Sequence, residues 1–227
     1  MTIFKEEKML FEAQNVEFRS RTTQIIKGIS LSVEKGTVAG FTGRSGSGKS
    51  TLLKLIAGIY VPTGGKVLYD GTDIQSMTNA QNLDFRRKCS FVFQDSALLA
   101  NQDIMQNLSL PLTTHFPKMR QSERLERIKE VCSLVNFDRP LNLRPVDLSM
   151  GEQKKIAFAR ALINKPECLF LDECTESLDR RGGSVIMGIL KEFIKNGNTV
   201  IYVSHSSSFI SEIGGNLFAV EEGRLSE

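Results

Sequence analysis

Apolar and polar positions alternate along the first third of the chain, which is the pattern of strands with one buried face. Residues 10–18 and 29–33 show this alternation. A third segment, residues 66–69, follows Gly64-Gly65 and is closed by Asp70-Gly71, a pair typical of tight turns. We therefore expect antiparallel strands in the N-terminal part of the chain.

Further along, short apolar runs alternate with apolar residues at helical spacing. Such runs are typical of strands buried on both faces of a parallel sheet, and here they are residues 37–42, 90–93, 169–171 and 200–203. Helical spacing is found in residues 51–57, 156–163 and 185–194. Residues 95–147 interrupt the alternation with polar, helix-like sequence, which predicts an inserted helical subdomain. The whole pattern predicts an α/β fold with a mostly parallel sheet.

The segment Gly43-Arg44-Ser45-Gly46-Ser47-Gly48-Lys49-Ser50 matches the phosphate-loop pattern GxxxxGK[ST]. It follows a predicted strand and opens a predicted helix, which is the context that this pattern requires. The glycines allow backbone N–H groups to approach phosphate closely at the start of the helix. Lys49 is expected to reach the β- and γ-phosphates, and the Ser50 hydroxyl to bind Mg²⁺. The sequence therefore predicts a site for Mg-ATP, with Thr51 next to the phosphates.

Five further segments follow in a fixed order: Phe93-Gln94-Asp95, Leu148-Ser149-Met150-Gly151-Glu152-Gln153, Leu169-Phe170-Leu171-Asp172-Glu173, Ser177-Leu178-Asp179 and Val203-Ser204-His205-Ser206. Together with the phosphate loop they resemble the nucleotide-binding domain of ATP-binding-cassette (ABC) transporters over residues 8–226. The resemblance implies one domain, residues 1–227, with a P-loop NTPase (RecA-like) core. It also implies an N-terminal antiparallel β subdomain and an inserted α-helical subdomain at about residues 95–147.

The resemblance implies a role for each polar residue at the phosphates. Asp172 would hold Mg²⁺, usually through water, and Gln94 would complete the metal shell. Glu173 would be the general base that polarises the attacking water. His205 would contact the γ-phosphate and orient Glu173, and Lys49 would complete the catalytic set.

The resemblance also implies partners. Ser149, Gly151 and Glu152 lie in the family's signature segment, which contacts ATP held by a second copy of the cassette, and Asp179 would lie across that dimer interface. A separate integral membrane permease would dock through its coupling helix in a groove between the segment around Gln94 (the family's Q-loop) and the helical subdomain. For that groove the apolar candidates are Leu98, Leu99, Ala100, Ile104 and Met105, although each could equally belong to the core of the subdomain.

Four positions depart from the family pattern. Met150 replaces the first signature glycine and is expected to narrow the approach to phosphate. Glu152 replaces the signature glutamine and is expected to place a negative charge near the dimer interface. Cys174 replaces a proline. Ser20 stands where an aromatic residue usually stacks on adenine, which leaves Phe18, Arg19 and Arg21 as alternatives.

Composition and charge restrict the partners and the cellular location that we expect for this protein. The 227 residues carry a net charge of +3 with acidic and basic residues interspersed, which argues against a nucleic-acid partner. No apolar run approaches the ~20 residues of a membrane span, and residues 1–8 lack a signal-peptide core. We expect a cytoplasmic protein, peripheral on the cytoplasmic face of the inner membrane. The cysteines show no CxxC spacing, so neither a zinc site nor a disulfide framework is predicted.

The transported substrate is the least determined feature. Residues 94–99 and 107–112 resemble cassettes of bacterial envelope systems, namely the Mla-like phospholipid transporters, the lipoprotein-release (Lol) system and the cell-division FtsE type. The QDSALL run and the RPVDLSMGEQKK segment favour the Mla-like lipid type. The alternative from another class is a regulatory scaffold that binds ATP with little turnover. A small GTPase would need an NKxD-type motif to recognise guanine. The only similar segment, Asn164-Lys165-Pro166-Glu167, is better explained as the end of a helix.

Overall fold

The computed structural model describes residues 8–226, which form two compact units. The first contains the described residues up to Asn82 together with those from Ile194 onwards, and the second is Leu83–Phe193. The interpretation of residues 1–8 as lacking a signal peptide lies outside the described residues, except for Lys8. No helix between residues 8 and 226 is long and apolar enough to cross a membrane.

In the first unit, alternating residues build an antiparallel sheet. Its strands are β1 (Met9–Ser20), β2 (Thr23–Glu34), β4 (Gly64–Tyr69) and β5 (Thr72–Asp73), in the order β2-β1-β4-β5. The apolar positions Phe11, Ala13 and Val16 are buried, whereas the residues between them are partly or fully exposed. The predicted N-terminal antiparallel subdomain is therefore confirmed.

The first unit also contains a parallel group of strands. β3 (Val38–Thr42) pairs in parallel with β8 (Thr199–Val203) on one side and with β9 (Asn216–Glu221) on the other. β10 (Arg224–Leu225) pairs antiparallel with β9. β8 is buried throughout and β3 up to Phe41, as expected for apolar runs in a parallel sheet.

Two helices complete the first unit, α1 (Lys49–Ile56) and α7 (Ser207–Ile213). Leu52, Leu53, Leu55 and Ile56 of α1 are all fully buried. These positions share one broad face of the helix, whereas Thr51 and Lys54 on the other side are only partly buried, so α1 packs on the core through that face. Burial of each such side chain contributes about 1.5–3 kcal/mol, and this helix therefore holds the phosphate loop on a rigid support.

In the second unit, β6 (Cys89–Val92) and β7 (Cys168–Asp172) pair in parallel, with Cys89 opposite Cys168. The helices that lie wholly in this unit are α3 (Ile104–His115), α4 (Gln121–Leu134) and α5 (Met150–Leu162). α2 (Asn79–Lys88) and α6 (Arg180–Lys195) contain the boundaries between the units. Residues 95–147 hold α3, α4 and a 3₁₀ turn at Pro145–Asp147, but no strand. The helical insertion is thus confirmed as part of the fold.

Side-chain hydrogen bonds explain where α3 begins and where α5 ends. The Asp103 side chain accepts a hydrogen bond from Gln106 N and caps α3, and the Gln106 side chain accepts one in return. Arg127 of α4 donates to the carbonyls of Leu162 and Ile163 at 2.8 Å each and so caps the end of α5. The four cysteines of the chain are free and buried.

Candidate nucleotide-binding site

The phosphate loop lies between β3 and α1, as its sequence context predicts. Gly43 has φ 135°, and a Cβ at this position would lie 2.1 Å from the carbonyl oxygen of Val220. No other residue type fits there, because contacts that short do not occur for real Cβ atoms. The loop therefore depends on glycine for its conformation as well as for access to phosphate.

Two side chains in the loop prepare it for an anion. Lys49 is 5% exposed, and its Nζ donates to the carbonyl oxygens of Gly43 at 2.9 Å and Arg44 at 2.7 Å. The buried Ser47 Oγ has no hydrogen-bond partner within residues 8–226. Because a buried hydroxyl without a partner is costly, the cradle fits a ligand that brings acceptor oxygens. Phosphate supplies such oxygens, and the fit to ATP is good.

The turn between β9 and β10 supports the loop from behind. Gly223 N donates to Ser47 O at 3.0 Å, and Gly223 O accepts from Lys27 N at 2.8 Å. The loop is thereby linked to β2 through the main chain of a residue near the C-terminus. The sequence analysis missed this support, because only the pair Glu222-Gly223, a turn signal, marks it locally.

His205 leaves β8 at the same edge as the phosphate loop. Phe41 of β3 is opposite Val203 of β8 in the parallel register, so Gly43 and His205 each lie two residues beyond this pair. The carboxyl ends of parallel strands form the edge where ligands bind in α/β folds. His205 is exposed there, just before α7, which Ser206 caps by accepting from Phe209 N.

In the second unit, the two predicted acidic residues lie at the carboxyl end of β7. Asp172 is 1% exposed and Glu173 is 6% exposed. Glu173 has φ 48°, a left-handed conformation that is uncommon for a residue other than glycine and is often found at functional sites. Next to them, burial raises the pKa of the Cys174 thiol to about 12, and this cysteine is therefore an inert packing residue.

Gln94 lies near this acidic end. Its Nε2 donates to Glu176 Oε2 at 3.0 Å, and Glu176 N in turn donates to Glu173 O at 3.3 Å. The structure thus connects Gln94 with the segment after β7, as the predicted metal site requires of Gln94 and Asp172. Ser50, the third predicted metal ligand, lies at the start of α1 in the first unit.

Ser149 caps α5 in a reciprocal arrangement with Glu152. Ser149 Oγ accepts from Glu152 N at 3.3 Å, and the Glu152 carboxylate accepts from Ser149 N at 2.8 Å. Glu152 also forms an ion pair with Arg139 at 2.9 Å. The backbone hydrogen bond from Ser149 lowers the pKa of Glu152, and Arg139 lowers it further, whereas burial opposes both effects. The negative charge expected from Glu152 at the interface is therefore largely offset by Arg139.

A cleft of about 570 Å³ joins the signature segment to the segment before α6. It is lined by Ser149, Met150, Gly151, Glu152, Lys155, Ser177, Leu178 and Asp179. Met150 is 70% exposed at its rim. Asp179 also has a local role, because its Oδ1 accepts from Gly182 N at 2.7 Å at the start of α6. The structure therefore brings the predicted signature residues and Asp179 together.

The residues predicted to contact the permease or the adenine base are partly buried and partly exposed. Ile104 is fully buried and belongs to the core of the helical subdomain, whereas Leu99 is 40% exposed. Ser20 is exposed at the tip of the β1–β2 hairpin. Phe18 stacks on Tyr60, with ring centroids 5.3 Å apart and planes 6° from parallel. One face of the Phe18 ring is therefore already covered by a residue that the sequence analysis did not consider.

The match to known proteins is extensive. Residues 26–176 match the family model described as ABC transporter. The chain is 36% identical over 186 residues to the lipoprotein-releasing system ATP-binding protein LolD of Buchnera aphidicola subsp. Schizaphis graminum, covering 81% of this chain and 80% of LolD. It is 35% identical over 202 residues to the macrolide export ATP-binding/permease protein MacB of Aggregatibacter actinomycetemcomitans, covering 88% of this chain but 31% of MacB.

A solved structure gives the same result. The dimeric ATP-binding cassette MJ0796, in a post-hydrolysis state bound to ADP and Pi, matches with a TM-score of 0.88 and 29% sequence identity. The match covers 96% of this chain and 97% of that one. The phosphate loop falls inside the matched family region, and so do the signature segment and the acidic end of β7. The chain therefore belongs to the ABC transporter family and is an ATP-binding, ATP-hydrolysing cassette of that family.

Proposed function

We propose that two copies of this chain close around two Mg-ATP molecules and that this closure drives a separate membrane permease. The observation that carries the proposal is that each copy presents both a prepared phosphate loop and a signature cleft. The cleft of about 570 Å³ lies in the size range of small-ligand sites. The similarity to a dimeric cassette bound to ADP and Pi supports the pairing.

In the proposed site, the phosphates lie against Gly43–Thr51 of one copy and Ser149–Gly151 of the other. Lys49 stabilises the charge on the β- and γ-phosphates when it exchanges its bonds to the loop carbonyls for bonds to phosphate oxygens. Ser50, Gln94 and Asp172 would hold Mg²⁺, which neutralises charge that develops on the phosphates.

Hydrolysis requires a base for the attacking water, and Glu173 is the candidate. Its burial keeps bulk water away from the carboxylate, and its left-handed backbone is a conformation that clusters at functional sites. His205 is proposed to orient Glu173 and the attacking water at the γ-phosphate. Asp179 contacts the opposite copy beside the signature cleft.

The permease is proposed to be a separate polypeptide. The name of LolD, of which the match covers 80%, describes an ATP-binding protein of a releasing system, and this supports the proposal. MacB, of which the match covers 31%, is named as an ATP-binding/permease protein. The exposed Leu99 and Ala100 are candidates for the docking surface, and the chain would then lie on the cytoplasmic face of the inner membrane.

A matched pair of variants tests the catalytic assignment. Glu173 follows β7 and Glu167 precedes it, so Glu173→Gln and Glu167→Gln make the same chemical change at opposite ends of one strand. We expect Glu173→Gln to lower steady-state ATPase activity by about 10²–10⁴-fold and to form an ATP-dependent dimer in size-exclusion chromatography. Glu167→Gln should behave as the unchanged chain, and equal rates in the two variants would contradict the assignment of Glu173.

For the substrate, we infer a lipid-bearing molecule of the bacterial envelope. The Mla-like phospholipid type was the prediction from sequence, and the similarity to LolD favours the lipoprotein-release alternative. Purification of the native complex in mild detergent, with mass spectrometry of its subunits and extracted lipids, separates the two. Enriched phospholipid supports the first and bound acylated protein the second. A sugar or peptide permease as partner would contradict both.

A further inference from the structure

The signature helix α5 contains a buried positive charge for which the site described above has no role. Lys154 is 2% exposed, and its Nζ donates to the main-chain carbonyl oxygens of Phe93, at 3.4 Å, and of Gln94. Lys49 is also buried, but the phosphate loop explains that lysine. Lys154 instead contacts the segment that carries the predicted metal ligand Gln94.

A second cation on α5 holds the same segment. Arg160 donates from Nη1 to Ala97 O at 2.7 Å and from Nη2 to Ser96 O at 2.9 Å. Ser96 and Ala97 have φ of 64° and 44°, which is unfavourable backbone for residues with a Cβ. The segment 93–97 therefore keeps a strained conformation because α5 binds four of its carbonyl groups.

Packing alone does not explain a lysine at this position. Burial of an ammonium group is unfavourable unless carbonyls or carboxylates compensate it. Burial lowers the pKa of Lys154, and nearby acidic groups such as Glu176, Asp95 and Asp172 oppose this effect. Methionine would fill a similar volume without the desolvation cost. The feature that methionine lacks is the donor for the carbonyls of Phe93 and Gln94.

We propose that Lys154 is a positioning residue for ATP hydrolysis, which fixes the main chain at Gln94 so that the Gln94 side chain stays at Glu176 beside the acidic end of β7. The inference rests on the proposed function, because the role of Gln94 at the metal belongs to it. Since Ser149 and Lys154 lie on the same helix, movement of the signature segment is transmitted to Gln94 through this contact. A ligand at the signature cleft is thereby linked to the metal site.

Three variants of the full chain separate positioning from packing. Lys154→Met removes the donor and keeps the volume, Lys154→Gln keeps a shorter donor, and Lys129→Met removes an exposed lysine of α4 as the charge control. For each we would measure urea unfolding, kcat and KM for Mg-ATP hydrolysis, and hydrogen exchange of peptides spanning residues 93–98 without nucleotide.

For Lys154→Met we expect an unfolding midpoint close to that of the unchanged chain, because relief of the buried charge offsets the two lost hydrogen bonds. Exchange at residues 94–98 should be faster by about tenfold or more. We expect kcat to fall by about tenfold or more, because misplacement of a metal ligand by 1 Å is sufficient for such a loss. KM should change by less than about threefold, since the phosphate loop is untouched. Lys154→Gln should recover part of both losses, and Lys129→Met should match the unchanged chain.

Unchanged exchange together with unchanged kcat in Lys154→Met would overturn the proposal. If Lys154→Met fails to fold, Lys154→Gln decides by the same two readouts. The exchange measurement needs no turnover, so it tests the anchoring even if Glu173→Gln has no effect. In that case the assignment of Glu173 as the base fails, but the exchange rates still show whether Lys154 anchors residues 93–97.

Discussion

Replacement of Gly223 by alanine tests whether the β9–β10 turn supports the phosphate loop. Gly223 has φ 81°, and a Cβ at this position would lie 2.1 Å from Ile25 O. Gly71, in the β4–β5 turn, has φ 76° but no atom within 4 Å of the same position. The two glycines therefore share the backbone conformation and differ only in their surroundings.

The structure gives the size of the expected difference in unfolding free energy between the two alanine variants. Left-handed backbone costs an alanine about 1–2 kcal/mol relative to glycine, and this cost applies to both positions. At position 223 the turn must also retreat by about 1 Å to relieve the contact with Ile25 O. That shift weakens the hydrogen bonds to Ser47 and Lys27, each worth about 0.5–1.5 kcal/mol. We expect a loss of about 1–2 kcal/mol of unfolding free energy for Gly71→Ala and about 2–4 kcal/mol for Gly223→Ala.

The two variants should also differ in nucleotide affinity. A shift of Ser47 displaces the N–H groups that face phosphate, so Gly223→Ala should weaken Mg-ATP binding about tenfold, equivalent to 1.4 kcal/mol. Gly71→Ala should leave the affinity unchanged. Urea unfolding and isothermal titration with Mg-ATP measure both quantities. Equal unfolding free energies and equal affinities for the two variants would refute the argument that the turn supports the loop.

Three further variants test other contacts of the chain. Lys49→Ala should weaken Mg-ATP binding by about 100-fold or more, because it removes a charge-assisted bond to phosphate; calorimetry showing unchanged affinity would contradict the role of the loop. Asn107→Ala should cost about 2–4 kcal/mol of unfolding free energy, since this fully buried amide makes four hydrogen bonds to residues 99–103. Glu152→Gln removes the partly exposed ion pair with Arg139 and should cost less than about 1 kcal/mol. The hydrogen bond from Ser149 lowers the pKa of Glu152 below its ordinary 4.5. The stabilisation that the ionised Glu152 carboxylate provides should therefore be complete above pH 4.5. It should disappear as the pH falls through the lower pKa that Glu152 has in the folded protein. A cost of Glu152→Gln that persists in acid unfolding experiments would show that the ion pair is not its source.

Much of the site could be predicted because its signals are local. The phosphate loop depends on contiguous glycines and on the helix that follows, so its residue types and spacing specify it. The capping of α5 by Ser149 and Glu152 is likewise a contact over three residues. The strand before the acidic pair was visible as an apolar run ending in charge. Each of these features needs only neighbours along the chain.

Contacts between distant segments could not be predicted in this way. Lys154 meets carbonyls some 60 positions earlier, and Gly223 meets Ser47 across most of the chain. One signal for Lys154 was available, because it shares a buried helix face with Phe158 and Ala161. That spacing marks a buried position, but it does not name the atoms that the ammonium group contacts.

The sequence by itself determined the class of fold, the phosphate loop and the order of the acidic, signature and histidine segments. It could do so because backbone conformation and capping are set by residues within a turn or two of each other. Only the tertiary structure decided that Arg139 offsets the charge of Glu152, that Tyr60 covers Phe18, and that α5 holds Gln94. These pairings depend on which faces pack together, and many different partners satisfy the same local pattern of apolar and polar positions.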